Sequence, residues 1–353
     1  MKEKLIWIGL LVALAFAACN GAKAASGNIH PTPVPLLGGS GGIGFDDLGY
    51  SAQLGQVLVP AGRTGNLDLI DPKTLMITAV TGFSAQNGFG GGHGDGTTSV
   101  DAGRGMLFAT DRSKMQVNVV DPTTKKIVVS APVDSAPDYI RYVDVTGELW
   151  VTEPDKEQIE VFTLSTDKTM MPVHTAFIVV KGGPESLVID NTRGRAYTHL
   201  WTATTVALDL KTHSIVAQWP NGCRDSRGIA LDEKQGFLFA GCSEGKAVVL
   251  DVKTDGRQLS SLNFGAGVDV ISYNPTLKHL YVPGASSATM GILEVSTDGK
   301  LSLLGTADTA NGAHCVTADD LGNAWVCDPD HGQLLLIKDP FQETTTLTPT
   351  SDK

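Results

Sequence analysis

The chain has 353 residues, with 38 Asp and Glu against 27 Lys and Arg and a formal charge of −11. Its basic residues are scattered singly, so it repels phosphate backbones, and nucleic acid is not an expected partner. Forty glycines and no long stretch of 3.6-residue periodicity argue against a helical fold and point to strands joined by tight turns.

At the N-terminus, Lys2 and Lys4 precede the apolar run Leu5 to Ala18 and then small residues. This is the layout of a secretory signal, too short for a permanent membrane span. Two cleavage points compete. "LAFAAC" resembles a bacterial lipobox, with Phe16 where Leu is more usual, and would make Cys19 the lipidated N-terminus. "AKA" at 22 to 24 instead suits cleavage after Ala24. Either cut predicts an extracytoplasmic monomer, in the periplasm or cell envelope, that touches membrane only through a lipid anchor. Loss of residues 1–18 removes Lys2, Lys4 and Glu3, which takes the charge from −11 to −12.

The rest of the chain repeats. "RGIALDEKQGFLFAGCSEGKAVVLDVKT" at 227 matches "ESLVIDNTRGRAYTHLWTATTVALDLKT" at 185 in its order of apolar strands, Asp and turn glycine. The same frame fits segments beginning at 46, 97, 138, 269 and 312, with the turn at Gly55, Gly105, Gly147, Gly194, Gly236, Lys278 and Gly322. Each copy carries about four short strands, the signature of a propeller blade. The fold predicted is therefore all-β, a seven-bladed β-propeller of four-stranded antiparallel blades. The boundaries read as signal 1–24, linker 25–44, propeller 45–345 and polar tail 346–353. The last copy runs short after "LLLIKDP", so either "TTTLTP" near 344 or "PVPLL" in the linker must supply its outer strand.

On "LWVTEPDKEQIEVF", "HLYVPG", "AVVLDVKT", "NVVDPTTKKIV" and "LDLIDPKT", the chain resembles the YVTN/YncE-like bacterial propellers, exported seven-bladed repeat proteins. Such motifs specify a fold and leave the activity open. A narrower resemblance covers one blade: "GAHCVTADDLGNAWVCDPDHGQLLLI" is similar to blades of virginiamycin B lyase-type propellers. That resemblance implies a magnesium-assisted mouth lined by His314 and Asp328, with Asp standing where the family pattern has Glu.

Four cysteines follow the signal region. Cys223 and Cys315 lie at the start of innermost strands, and Cys242 and Cys327 end the strands after them. Neighbouring antiparallel strands bring such ends within disulfide reach, so the pairs Cys223–Cys242 and Cys315–Cys327 are expected in an oxidising compartment. Asp71, Asp121, Asp232, Asp251 and Asp319 recur at fixed repeat positions and read as turn residues.

Counting back from the turns gives the residues that open each innermost strand: Asp46, Gly96, Asp138, Glu185, Arg227, Asp269 and His314. They should ring one end of the central channel. Asp111, Glu153, His199 and Asp328, ending the next strands, should face the same way, and His93 and Asp95 in "GFGGGHGDG" lie just ahead of the second blade. A small ligand is expected on Asp46, Asp138, Glu185, Arg227, Asp269 and His314. A divalent metal ion would take His93, Glu185, Asp269 and His314, since imidazole with hard oxygens suits zinc, copper or nickel. Three functions compete: binding of a small ligand, metal ion or protein partner at this mouth; a metal-assisted lyase or lactonase using His314 with Asp328 or Glu185; and a protein-interaction scaffold.

Overall fold

A computed structural model of the chain describes residues 28–342. The signal, Cys19, "TTTLTP" and the polar tail lie outside the described residues. Within them the chain forms seven four-stranded antiparallel sheets and two single turns of 3-10 helix, Pro154–Lys156 and Val252–Thr254. No helix there is long and apolar enough to cross a membrane.

The first six blades run inside to outside in chain order. The third, for example, has strands Ile140–Val143, Glu148–Glu153, Gln158–Leu164 and Pro172–Val179. Second strands such as Glu148–Glu153, Phe237–Cys242 and His279–Gly284 are buried along their whole length. Both of their faces meet a neighbouring blade, which is why they read as continuous apolar runs. Outermost strands such as Lys126–Pro132 bury only part of their residues, because one edge is solvated.

The core is accordingly distributed over the junctions between blades. Phe108, Val119, Ile140 and Leu149 join the second blade to the third. Tyr281, Ile292, Val316 and Val326 join the sixth to the seventh. Phe45, Val57, Trp325 and Leu336 close the seventh against the first. That last junction depends on the linker: Thr32–Pro35, within the region of "PVPLL", pairs antiparallel with Gln333–Leu336 as the outer strand of the seventh blade. Pro33 and Pro35 are acceptable there because no further strand needs their missing N–H groups.

The turn residues that defined the repeat have the backbone it requires. Gly55, Gly105, Gly147, Gly194, Gly236 and Gly322 have φ between 62° and 78°, and Lys278 occupies the seventh such turn at 59°. The recurrent aspartates serve these and the outer turns: Asp71 accepts from Lys73 N and Thr74 N, Asp121 from Thr123 N, and Asp319 from Leu321 N and Asn323 N. Both expected disulfides are formed, with Cα–Cα distances of 5.2 Å for Cys223–Cys242 and 5.6 Å for Cys315–Cys327.

One buried polar position is uncompensated. Asn118 and Glu160, at matching places in the second and third blades, are hydrogen-bonded to Ala109 O and to Asp134 N. Asp68, their counterpart in the first blade, is fully buried with neither oxygen partnered. Burial pushes its carboxyl up to about 7.

Two stability predictions follow from these positions. A side chain with φ near 60° is strained where glycine is not, so Lys278→Gly should stabilise the protein by up to about 1 kcal/mol in denaturant unfolding. Asp68 binds its proton more tightly folded than unfolded, so its destabilising contribution grows as pH rises from about 4 through about 7. Asp68→Asn should therefore raise Tm more at pH 8 than at pH 5; an equal gain at both would show that Asp68 does not titrate in the folded state.

Candidate functional site: the acidic mouth of the channel

The innermost strands converge on the propeller axis, and the residues just ahead of them form one rim of the channel. A cavity of about 280 Å³ opens there. Asp46, Asp138, Glu185, Arg227 and Asp269 all line it, so the count from the turn residues places five ring side chains in one space although they lie on five different blades. Gly96 contributes no side chain. His93 lines it from the glycine-rich loop.

These groups form two clusters. In the first, His93 Nδ1 stands 3.0 Å from Asp46 Oδ2, and Arg112 Nη1 is 2.8 Å from Asp138 Oδ1 and 3.9 Å from Asp46 Oδ2. The Asp46–His93 contact is an ion pair off the line of a hydrogen bond: neither Asp46 Oδ2 nor His93 Nδ1 has a hydrogen-bond partner, although both are buried atoms. Burial works to raise Asp46, but the charges of His93 and Arg112 outweigh it and hold the carboxyl below its usual range. The Asp46 carboxylate in turn raises His93 to about 9. Burial, with repulsion from Asp46, pushes Asp138 up to about 8 against the pull of Arg112.

In the second cluster, Glu185 accepts from Arg227 Nη1 at 3.1 Å and from Trp201 Nε1. Arg227 also reaches Asp225 at 3.2 Å. Burial raises Glu185 to about 9, while the charge and hydrogen bond of Arg227 favour its anion. Asp269 is different. It has no side-chain partner among the described residues, and burial raises its carboxyl.

Tyr139 lines both this cavity and the next one along the axis, and the Arg141 guanidinium lies over its ring at 5.1 Å. Arg141 makes a two-pronged contact with Asp47, at 2.5 and 3.0 Å, and Ser99 Oγ donates to the same carboxylate at 2.6 Å. A polar cluster of Arg141, Asp47 and Ser99 thus lies next to Tyr139 beneath the mouth.

Other expected residues sit elsewhere. Both ring nitrogens of His314 face carbonyl oxygens, Nδ1 that of Gly312 at 2.7 Å and Nε2 that of Phe45 at 2.9 Å. Its ring is 6.1 Å from that of His93 and outside the cavity lining, so it offers no free nitrogen lone pair to the mouth. Asp328 is held by His331 and Gln333 and is also outside the lining. Asp111 and Glu153 bind backbone of the preceding blade's outer strand and of a loop, at Ser84 N and Ser135 N. His199 is fully buried against Thr205, with burial lowering it to about 4. Asp95 accepts from Gln86 and does not line the cavity. The strand-end acids therefore tie the crossings between blades together and do not extend the mouth. Arg112, Trp201, Tyr139 and Asp155 line the cavity and were not singled out in the sequence. Arg112 follows the strand-end Asp111 directly, and that adjacency was the one available signal.

The glycine-rich loop is seated by close backbone approach. A β-carbon at Gly44, two residues before Asp46, would stand 2.1 Å from Gly92 O, and one at Gly42 would meet the Phe89 ring at 2.4 Å.

No family model matches the chain, and no curated protein matches it. Solved structures do. A chain of Kuenenia stuttgartiensis hydrazine synthase is similar at 13% identity and TM-score 0.68, over 85% of this chain and 96% of that one. A chain of a mitotic checkpoint complex is similar at 12% identity and TM-score 0.71, over 94% and 99%. The Cps50 (Swd1) β-propeller domain of Myceliophteria thermophila is similar at 11% identity and TM-score 0.67, over 85% and 98%. At these identities the likeness establishes the seven-bladed fold, and the YVTN-type resemblance rests on the repeats quoted above.

The loop seating can be read from a titration. Gly44→Ala should push Gly92 and His93 off Asp46, and without that carboxylate His93 should fall from about 9 toward its ordinary value of about 6.5. NMR titration of the His93 ring checks this; an unchanged midpoint would mean that the loop keeps its seat.

Proposed function

We propose that this chain is an extracytoplasmic propeller that holds a small, positively charged ligand in the mouth of its channel. One observation carries the reading. Asp269 lines the cavity with no side-chain partner among the described residues, beside Asp46, whose buried Oδ2 accepts no hydrogen bond. A buried carboxylate without full compensation is costly, and a bound cation offsets that cost. His93 and Arg112 already serve Asp46 and Asp138, and Arg227 serves Glu185, which leaves Asp269 for the ligand. Trp201, 37% exposed at the rim, adds an aromatic surface of the kind that suits organic cations. The two disulfides support an oxidising compartment, in keeping with the export leader read in the sequence.

The lyase or lactonase reading is less well supported. A general base needs a free lone pair facing substrate, and His314 has both nitrogens against carbonyls. Asp328 is committed to His331 and Gln333. A protein partner is the second reading, favoured by exposed Val173, Phe177 and Val179 and by Ile215 and Val216 on neighbouring outer strands. The similar chains from a mitotic checkpoint complex and from Swd1 fit that alternative. It would use the rim and leave the mouth idle.

Calorimetric titration of chelator-treated protein with zinc, calcium, magnesium, methylammonium and spermidine separates the two. At least one should bind with Kd below about 1 mM, and Asp269→Asn should weaken it about tenfold with Tm unchanged. If none of the five binds, the mouth is a solvated rim and the scaffold reading takes its place.

A further inference from the structure

The geometry points to a transition-metal site within the mouth, on Asp46, His93 and Asp138. This inference rests on reading the mouth as a cation site and places one class of ion on three side chains of its lining, beside Asp269. The three side chains can each present one donor atom such that all three atoms lie within 4.8 Å of one another, and Asp46 and Asp138 are both buried. Two ligands are fixed by the ring: Asp46 and Asp138 sit just ahead of the innermost strands of the first and third blades. The third comes from outside it. His93 is carried by the glycine-rich loop, whose close seat on Gly44 holds the ring 3.0 Å from Asp46.

The unpartnered Asp46 Oδ2 marks where the ion would sit. It lies in contact with His93 Nδ1 but without a hydrogen bond from it, an arrangement that suits two ligands flanking a shared cation better than a donor and its acceptor. Arg112 is the competing explanation. Its guanidinium is 2.8 Å from Asp138 Oδ1 and partly neutralises the pair, and a self-contained ion network needs no metal. Arg112, however, reaches only to 3.9 Å of Asp46 Oδ2, leaves the second Asp138 oxygen without a donor among the described residues, and lines the open cavity, into which a long side chain can withdraw. Two carboxylates and one imidazole make a mixed oxygen and nitrogen set. Imidazole favours zinc and its neighbours over magnesium and calcium. With three protein ligands, the remaining coordination position faces the cavity, as in zinc centres that accept water or a small ligand.

The other compact group of potential ligands, His314 with Cys315 and Cys327, does not compete: its sulfurs are joined in a disulfide and its ring faces carbonyls.

The test is calorimetry on the chelator-treated full chain with zinc, cobalt, calcium and magnesium chlorides, together with the visible absorption of the cobalt form. Zinc should bind about 100-fold more tightly than calcium or magnesium. His93→Ala should lower zinc affinity by 10- to 100-fold and shift the cobalt band, while weak calcium binding stays unchanged. Arg112→Met removes a competing charge without removing a ligand, and should tighten zinc binding severalfold. Zinc affinity that survives His93→Ala, calcium binding as tight as zinc, or weaker zinc binding by Arg112→Met would each overturn the site. If methylammonium or spermidine binds and no dication does, the cationic mouth stands and the metal site falls; if nothing binds, both fall.

Discussion

The structure depends on lateral contact between sheets that cannot be stable singly. A four-stranded blade has two apolar faces and no core of its own, so every hydrophobic cluster lies at a junction between neighbours. Burial is complete only when the circle is closed, and the circle is closed by four residues, Thr32–Pro35, laid on Gln333–Leu336. Removal of that short strand would expose the junction of the seventh and first blades, where Phe45 and Trp325 are wholly buried. The axis is held from within as well, by the Arg141–Asp47 pair that links the third blade to the approach to the first.

Closure has an electrostatic consequence. Bringing seven strand starts to one axis concentrates whatever residues stand there, however far apart they are in sequence. Four of the seven are acids, and in a low-dielectric pocket their repulsion must be met by countercharges. Arg112, Arg227 and His93 meet part of it. The remainder falls on Asp269, which has no side-chain partner among the described residues, and the cation proposed for the mouth would answer it.

Most of the architecture was legible because the repeat carries its own ruler. The turn residue in the left-handed region fixes each inner strand, and counting back from it placed five side chains in one cavity. The same ruler set the cysteine pairs, since each joins the ends of adjacent strands. It fails in two places. Residues after the second strand, such as Arg112, belong to loops that differ from blade to blade, so the repeat gives them no common direction. The orientation of His314 depends on the Phe45 carbonyl, which arrives from the other end of the chain after the ring has closed. The choice of closing strand was open for a related reason: both ends offered a short apolar segment, and pairing partners are a property of the closed ring.

The closing strand also sets a timetable. A chain emerging N-terminus first delivers Thr32–Pro35 before any blade exists, and its partner Gln333–Leu336 comes last. During synthesis this segment must wait for its partner, beside some three hundred residues of half-assembled sheet edges. Pro33 and Pro35 give it an inherent safeguard. Two missing amide hydrogens make it a poor template for a stray strand on one side while leaving the other able to pair. The sequence "TPVP" is therefore a latch that resists catching early, and the propeller locks only when its final blade has been delivered.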